Sequence, residues 1–208
     1  MLASTIDIGT NTTLALLAES SEDGLVTVKD QLTPNRLGEA LRNGNALPRD
    51  IIALNVDLLN EIARDYRREG AEAFAVCGTS ALRTAVNRAD FVGAVKEILD
   101  LDVEIISGQA EAELTFAGAI SGREIYPTER VGVIDLGGGS TEIIRGQGYV
   151  PGQSYSLDMG SVYLTNEFFE EDPPATDAIG RLLVQARRRA TALLKDLNKD
   201  SAPWILVG

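Results

Sequence analysis

The 208-residue chain has no histidine, a single cysteine and no long apolar run, and each scarcity removes a class of chemistry. Without histidine there is no His-ligated zinc, no Ser-His-Asp triad, no Cys-His pair and no phosphohistidine. Catalysis must rest on carboxylates, hydroxyls, arginine, lysine or Cys77. One cysteine forms no internal disulfide, so nothing depends on an oxidising compartment. Positive charge is also scarce: 19 Lys and Arg stand against 31 Asp and Glu, a formal charge of −12, and no basic tract exceeds Arg187-Arg188-Arg189. DNA, RNA and anionic membranes are therefore not expected partners, because they require a positive surface. The N-terminus lacks a basic leader and no window approaches roughly 18 apolar residues. The expectation is a soluble, cytoplasmic protein. What remains, 44% hydrophobic and 24% charged residues, is enough for one large or two small cores.

Hydrophobic periodicity divides the chain into two similar halves. Apolar runs at 3–7, 12–19 and 25–32 predict three strands, with Ser20-Ser21-Glu22-Asp23-Gly24 turning the last two into a hairpin. Pro48 opens a long helix whose apolar positions Ile51, Leu54, Leu58, Ile62 and Tyr66 recur every three or four residues, and Gly70 ends it. Residues 73–77 read as a buried strand, Ser80 as the cap of the next helical stretch, 103–106 as a strand and 109–120 as a helix. The order βββαβαβα then begins again. Strands are predicted at 131–135, 141–145 and near 149–157, helices near 161–169 and 176–197, and a strand at 204–207.

The repeat extends to individual residues. Asp7-Ile8-Gly9-Thr10-Asn11-Thr12-Thr13 and Asp135-Leu136-Gly137-Gly138-Gly139-Ser140-Thr141 share Asp-(aliphatic)-Gly-x-x-(Ser/Thr)-Thr, each between two apolar strands. This points to internal duplication. The second copy stops at Gly208, just after its fourth strand. The expected division is a first domain over 1–125 and an incomplete second domain over 126–208, with an open sheet edge that favours self-association as a homo-oligomer.

Both Asp-x-Gly turns can bring successive backbone N–H groups onto an anion, because glycine leaves no Cβ in the way. Neither is followed by Gly-Lys-Ser/Thr and neither opens a helix, so a Walker loop and a dinucleotide fingerprint are both excluded. Asp135 and Asp7 sit beside an anion comfortably only with a divalent cation between. The plain alternative is a pair of tight hairpins. Glu111 heads a narrow stripe of small residues, Thr115, Gly118 and Gly122, on a helix whose other faces carry Leu114, Phe116, Ala117 and Ile120. It reads either as a catalytic base with a raised pKa or as a first-turn acid complementing the helix dipole. Cys77 and Arg83 fit Cys-x5-Arg, but Cys77 completes an apolar strand and reads as a buried, inert thiol. Arg83, expected in a first helical turn where it opposes the dipole, makes sense if it reaches an anion. Arg187–Arg189 read as the solvated face of a helix.

Six segments in this order, Asp7–Thr12, Arg36-Leu37-Gly38-Glu39, Gly78-Thr79-Ser80-Ala81-Leu82-Arg83, Ile106-Ser107-Gly108-Gln109-Ala110-Glu111-Ala112, Asp135–Glu142 and Ser156-Leu157-Asp158-Met159-Gly160-Ser161-Val162, make the chain resemble the exopolyphosphatase / guanosine pentaphosphate phosphohydrolase (Ppx/GppA) phosphatase family. The resemblance implies an α/β fold of duplicated ribonuclease H-like, actin-like ATPase domains with mixed sheets. It also implies Mg²⁺-assisted hydrolysis of a terminal phosphoanhydride in inorganic polyphosphate or guanosine pentaphosphate. Carried over by position, Glu111 would be the base, Gly9, Thr10, Asn11, Thr12, Arg83, Gly137, Gly138, Gly139 and Ser140 would bind phosphate, and Asp135, Glu142 and Asp7 would be the metal acids. Ala110-Glu111-Ala112-Glu113 departs from the family's Glu-Glu-Ala-Arg. Polyphosphate or alarmone binding without catalysis, and phosphotransfer by a related fold, stay open as alternatives.

Overall fold

In the computed structural model, residues 1–21, 24–197 and 202–208 are described. The centre of the expected 20–24 turn, Glu22 and Asp23, lies outside them. Contacts divide the chain into two compact units, Met1–Ser107 and Gly108–Gly208.

The first unit carries a five-stranded mixed sheet. Strands β1 (Leu2–Ile8), β2 (Thr12–Ser21) and β3 (Gly24–Pro34) form an antiparallel meander, while β4 (Ala73–Gly78) and β5 (Val103–Ile105) add in parallel, giving the order β3-β2-β1-β4-β5. Alternation along β1 buries Ser4, Ile6 and Ile8 on one face and turns Asp7 to the other. Ile6, Ile8, Ala15, Leu17 and Val76 share a core with two helices, α2 (Arg49–Arg68) and α4 (Arg88–Leu99). Two short pieces precede them in their own places: α1 (Leu37–Ala40), followed by a 3₁₀ turn at Leu41–Asn43, comes before α2, and α3 (Ser80–Thr84) comes before α4.

Two expectations change here. The buried stripe of α2 is Ile52, Val56, Leu59, Ile62, Ala63 and Tyr66, while Leu54 is exposed. This helix has more apolar residues than one face holds, and on the face that meets the sheet the Tyr66 hydroxyl donates to the Ala15 carbonyl at 3.2 Å. Ser80 is not a cap: Thr79 is the N-cap residue, with no side-chain cap hydrogen bond.

In the second unit, α5 (Gly108–Ile120) precedes β6 (Arg130–Leu136), β7 (Thr141–Gln147) and β8 (Val150–Leu157), followed by α6 (Ser161–Phe168), α7 (Thr176–Leu197) and β9 (Trp204–Val207). The sheet order β8-β7-β6-β9 repeats the first four positions of the other sheet, with the same antiparallel meander and parallel fourth strand. Duplication is thus visible in topology as well as in motif.

The expected boundary at 125/126 moves to Ser107/Gly108. The reason is α5, which buries Ala112, Phe116 and Ile120 against Val131, Val133 and Ile144 of the second sheet. Its inward row is therefore Ala112/Phe116/Ile120; Leu114 is exposed, and the Glu111/Thr115 row lies half-buried at its edge. Gly146 stands directly across from Val131, and a Cβ there would run into the Phe116 ring, so this glycine makes room for the largest core side chain of the unit.

Candidate active site

Val131, Val133 and Asp135 alternate onto one face of β6, and their ladder partners Gly146, Ile144 and Glu142 share it. Beneath α5 this face is apolar at one end and acidic at the other. Thr115, one turn beyond Glu111, donates its hydroxyl to Asp135 at 3.4 Å. Burial raises the Asp135 carboxyl above the usual range, and the Thr115 bond offsets part of this.

Glu142 is 1% exposed, an extreme value for a carboxylate. Its pKa is pushed up to about 7, chiefly by burial, then by the charge of Glu111, with Asp135 adding to it. Hydroxyls of Ser156, at 2.7 Å, and Ser140 donate to the carboxylate and oppose the rise. Glu111, Asp135 and Glu142 therefore interact as one acidic group.

The turn Gly137–Ser140 closes on itself through Gly137 N–H to the Ser140 carbonyl, 3.1 Å. Its carbonyls are held by the start of α6. Ser161 N–H donates to Gly137 O at 2.9 Å, Val162 and Tyr163 N–H to Gly138 O at 2.8 and 3.0 Å, and Gly160 N–H to Gly139 O at 3.1 Å. Those orphan helix donors are thereby satisfied. In a planar trans peptide, N–H and C=O point in opposite directions, so the N–H groups of Gly138, Gly139 and Ser140 are directed away from α6. Such a row of N–H groups is an anion cradle. Gly160 is required by the close approach, since a Cβ there would collide with the Gly138 carbonyl and Gly139 nitrogen.

The first turn is built alike. Gly9 N–H donates to Thr12 O at 2.9 Å, Gly38 N–H to Thr10 O at 2.8 Å, and Asn35 and Arg36 N–H to Asn11 O at 2.9 and 3.2 Å. The N–H groups of the matching row, Thr10, Asn11 and Thr12, are again turned away from the clamping segment.

Other expected site residues lie in the first unit. Asp7 faces its ladder partner Cys77, whose thiol donates to the Asp7 carboxylate at 3.7 Å. Cys77 is half-buried, not buried, because it shares the Asp7 face while Val76 faces the core. Arg83 lies in the last turn of the five-residue α3, where it suits the dipole; the expected first-turn conflict does not exist, because the helix ends at Thr84. Its guanidinium donates to the Ile106 carbonyl at 3.2 Å. Of Arg187–Arg189, the first two are solvated as expected, whereas Arg189 pairs with Glu167 at 2.7 Å.

Among the described residues, no three Asp, Glu or Cys side chains form a ready metal cage. The Asp135/Glu142 pair nevertheless fits Mg²⁺, which takes one or two carboxylates and leaves its other positions to water and substrate phosphate. Two acids held above their usual range by burial, Glu142 further by like charge, are the donor set such a cation would relieve.

Comparison with known proteins bears on this arrangement. The model of the Ppx/GppA phosphatase family matches residues 16–207. The chain belongs to that family. This Ppx/GppA chain is 31% identical over 210 residues to exopolyphosphatase 2 of Mycobacterium tuberculosis, covering 96% of the chain and 65% of that protein. It is 31% identical over 213 residues to the guanosine-5'-triphosphate,3'-diphosphate pyrophosphatase of Vibrio atlanticus, covering 100% of the chain and 41% of that protein. The crystal structure of the Aquifex aeolicus family member superposes with a TM-score of 0.74 at 28% identity, over 93% of the chain and 62% of that structure. The chain thus spans between two fifths and two thirds of the length of these relatives. Its fold is the family's α/β fold of duplicated units with mixed sheets.

Sequence reasoning misses Ser156 and the α6 clamp as parts of the site. Their signal is present in the segment Ser156–Val162, which carries both the hydroxyl that bonds Glu142 and the glycine that lets α6 reach the turn.

Proposed function

We propose that this Ppx/GppA chain hydrolyses a terminal phosphoanhydride of inorganic polyphosphate or guanosine pentaphosphate. The observation that carries the reading is the meeting, in one unit, of an N–H cradle at Gly138–Ser140 with the interacting acids Glu111, Asp135 and Glu142. In this reading the cradle holds non-bridging oxygens of the phosphate, and Glu111 orients a water and takes its proton as the phosphorus–oxygen bond to the leaving phosphate breaks. Asp135 and Glu142 would hold Mg²⁺, which supplies neutralisation of charge on the phosphate oxygens. Gly9–Thr12 serves as a second cradle of the same construction, and Arg83 is assigned to phosphate by resemblance alone. A cytoplasmic setting belongs to the same proposal and suits a thiol outside any disulfide at Cys77. No helix among the described residues is long and apolar enough to cross a membrane.

The test is phosphate release from polyphosphate and from guanosine pentaphosphate, with and without Mg²⁺, by the chain and by Glu111→Gln. Release by the first and not the second supports hydrolysis through Glu111. Binding of either substrate without release would assign the cradles to a sensor instead.

A further inference from the structure

The two turns are clamped by equivalent segments but by different chemistry. In the second unit, Ser161 holds the carbonyl of the first turn glycine, Gly137, through its backbone N–H at 2.9 Å and its exposed hydroxyl at 3.4 Å. In the first unit the equivalent carbonyl, that of Gly9, is held by a side chain: Asn35 Nδ2 donates to it at 3.0 Å. We infer that Asn35 is a positioning residue that sets the first phosphate turn.

Asn35 is 4% exposed and sits at the end of β3, just before α1. Its Nδ2 also donates to the Thr13 hydroxyl at 3.1 Å, and its Oδ1 accepts the Leu37 N–H at 3.1 Å. The amide orientation is unambiguous, because the Gly9 carbonyl can only accept and the Leu37 N–H can only donate. Its backbone N–H donates to Asn11 O at 2.9 Å, and its carbonyl accepts from the buried Asn55 Nδ2 at 3.4 Å. Five hydrogen bonds thus converge on one residue. Four reach the turn, the strand leaving it, or the segment that clamps it.

A second observation is independent of that list. Arg36, next in the chain, is held at φ 54°, a left-handed conformation unusual for arginine. Such a conformation persists where surrounding bonds over-determine it. Here the bonds on either side of Arg36 belong to Asn35 and Leu37. The Asn35 side chain spans Arg36 from both flanks, tying the Leu37 N–H to the Gly9 carbonyl through one amide. With Gly9 O drawn back, the peptide plane is rotated so that the Thr10 N–H points outward, as the cradle requires.

The inference rests on the phosphate-binding reading of the turn, and the experiment separates the two. Asn35→Asp in the full chain keeps shape and the Leu37 bond but replaces the donor facing Gly9 with an acceptor. Asn35→Ser, which shortens the side chain without adding charge, serves if the first variant fails to fold. In amide exchange without ligand, Gly9 and Gly38 are expected to exchange at least about tenfold faster, the protection of roughly one ordinary buried hydrogen bond. Gly137 and Ser161 are expected to keep their original rates. In titrations with inorganic tripolyphosphate and Mg²⁺, shifts of the Thr10, Asn11 and Thr12 amides should need about tenfold more ligand, with Gly138–Ser140 responding as before. Unchanged exchange at Gly9 and Gly38 in a folded variant overturns the inference. If tripolyphosphate moves neither turn of the unaltered protein, the phosphate reading fails while the exchange rates still decide the role of Asn35.

Discussion

Glu142 stands directly across from Asp135 in the β6–β7 ladder, so a buried and a half-buried carboxylate share one layer of the second unit with Thr115 and within the field of Glu111. Parallel needs of folding and chemistry meet there. Burial raises both acids, and whatever lowers them again, a cation or a donor, is coupled to stability.

The coupling has a definite sign. The Glu142 carboxyl moves from 4.5 to about 7 on folding, so the folded chain retains a proton that the unfolded chain releases. Its contribution to stability is complete below about pH 4.5 and is lost as pH rises through about 7, in total roughly 3 kcal/mol. Urea denaturation from pH 5 to 8 without Mg²⁺ should show this slope, and Glu142→Gln should flatten it. A slope identical in both proteins places the titrating group elsewhere.

Glu111→Gln should lower the Glu142 midpoint, since a like charge is removed. Carboxyl NMR titration reads this without any assay. In the active protein the same change is expected to reduce turnover at least about a hundredfold with substrate affinity nearly unchanged. Retained turnover would move the base to another group.

Mg²⁺ should compete with the proton on Asp135 and Glu142. Calorimetry is expected to show tighter binding at pH 8 than at pH 6, with proton release at the lower pH. Asp135→Asn should weaken binding, and chelation should return the Glu142 midpoint to about 7. Equal affinity at both pH values would remove these acids from the metal site.

Gly160→Ala forces a Cβ into the Gly138 peptide, which has no flexible end to give way. A destabilisation of about 2 kcal/mol or more is expected, with faster exchange at Val162 and Tyr163. Gly146→Ala meets both the Phe116 ring and the Val150 carbonyl, so adding Phe116→Leu should recover only the part of its loss that the ring causes. Recovery in that double variant is the check, by thermal or urea denaturation.

Strand and helix positions were largely legible because the local periods of 2 and 3.6 survive folding: the runs at 3–7, 131–135 and 176–197 all became the expected elements. The duplication was legible too, since Asp7-x-Gly9 and Asp135-x-Gly137 carry the same turn, and the structure gives both the same closing bond. Sequence alone thus determined the elements, their repetition and the glycine turns, all properties of neighbouring residues. Tertiary structure alone decided that α5 joins the second sheet, that Ile52 and not Leu54 faces the core, and that Asn35 clamps one turn while Ser161 clamps the other. It also decided the protonation of Glu142, because burial desolvates the carboxyl, and helix packing and sheet register set the like charges of Glu111 and Asp135 beside it. Local sequence carries no information on either until the chain has folded.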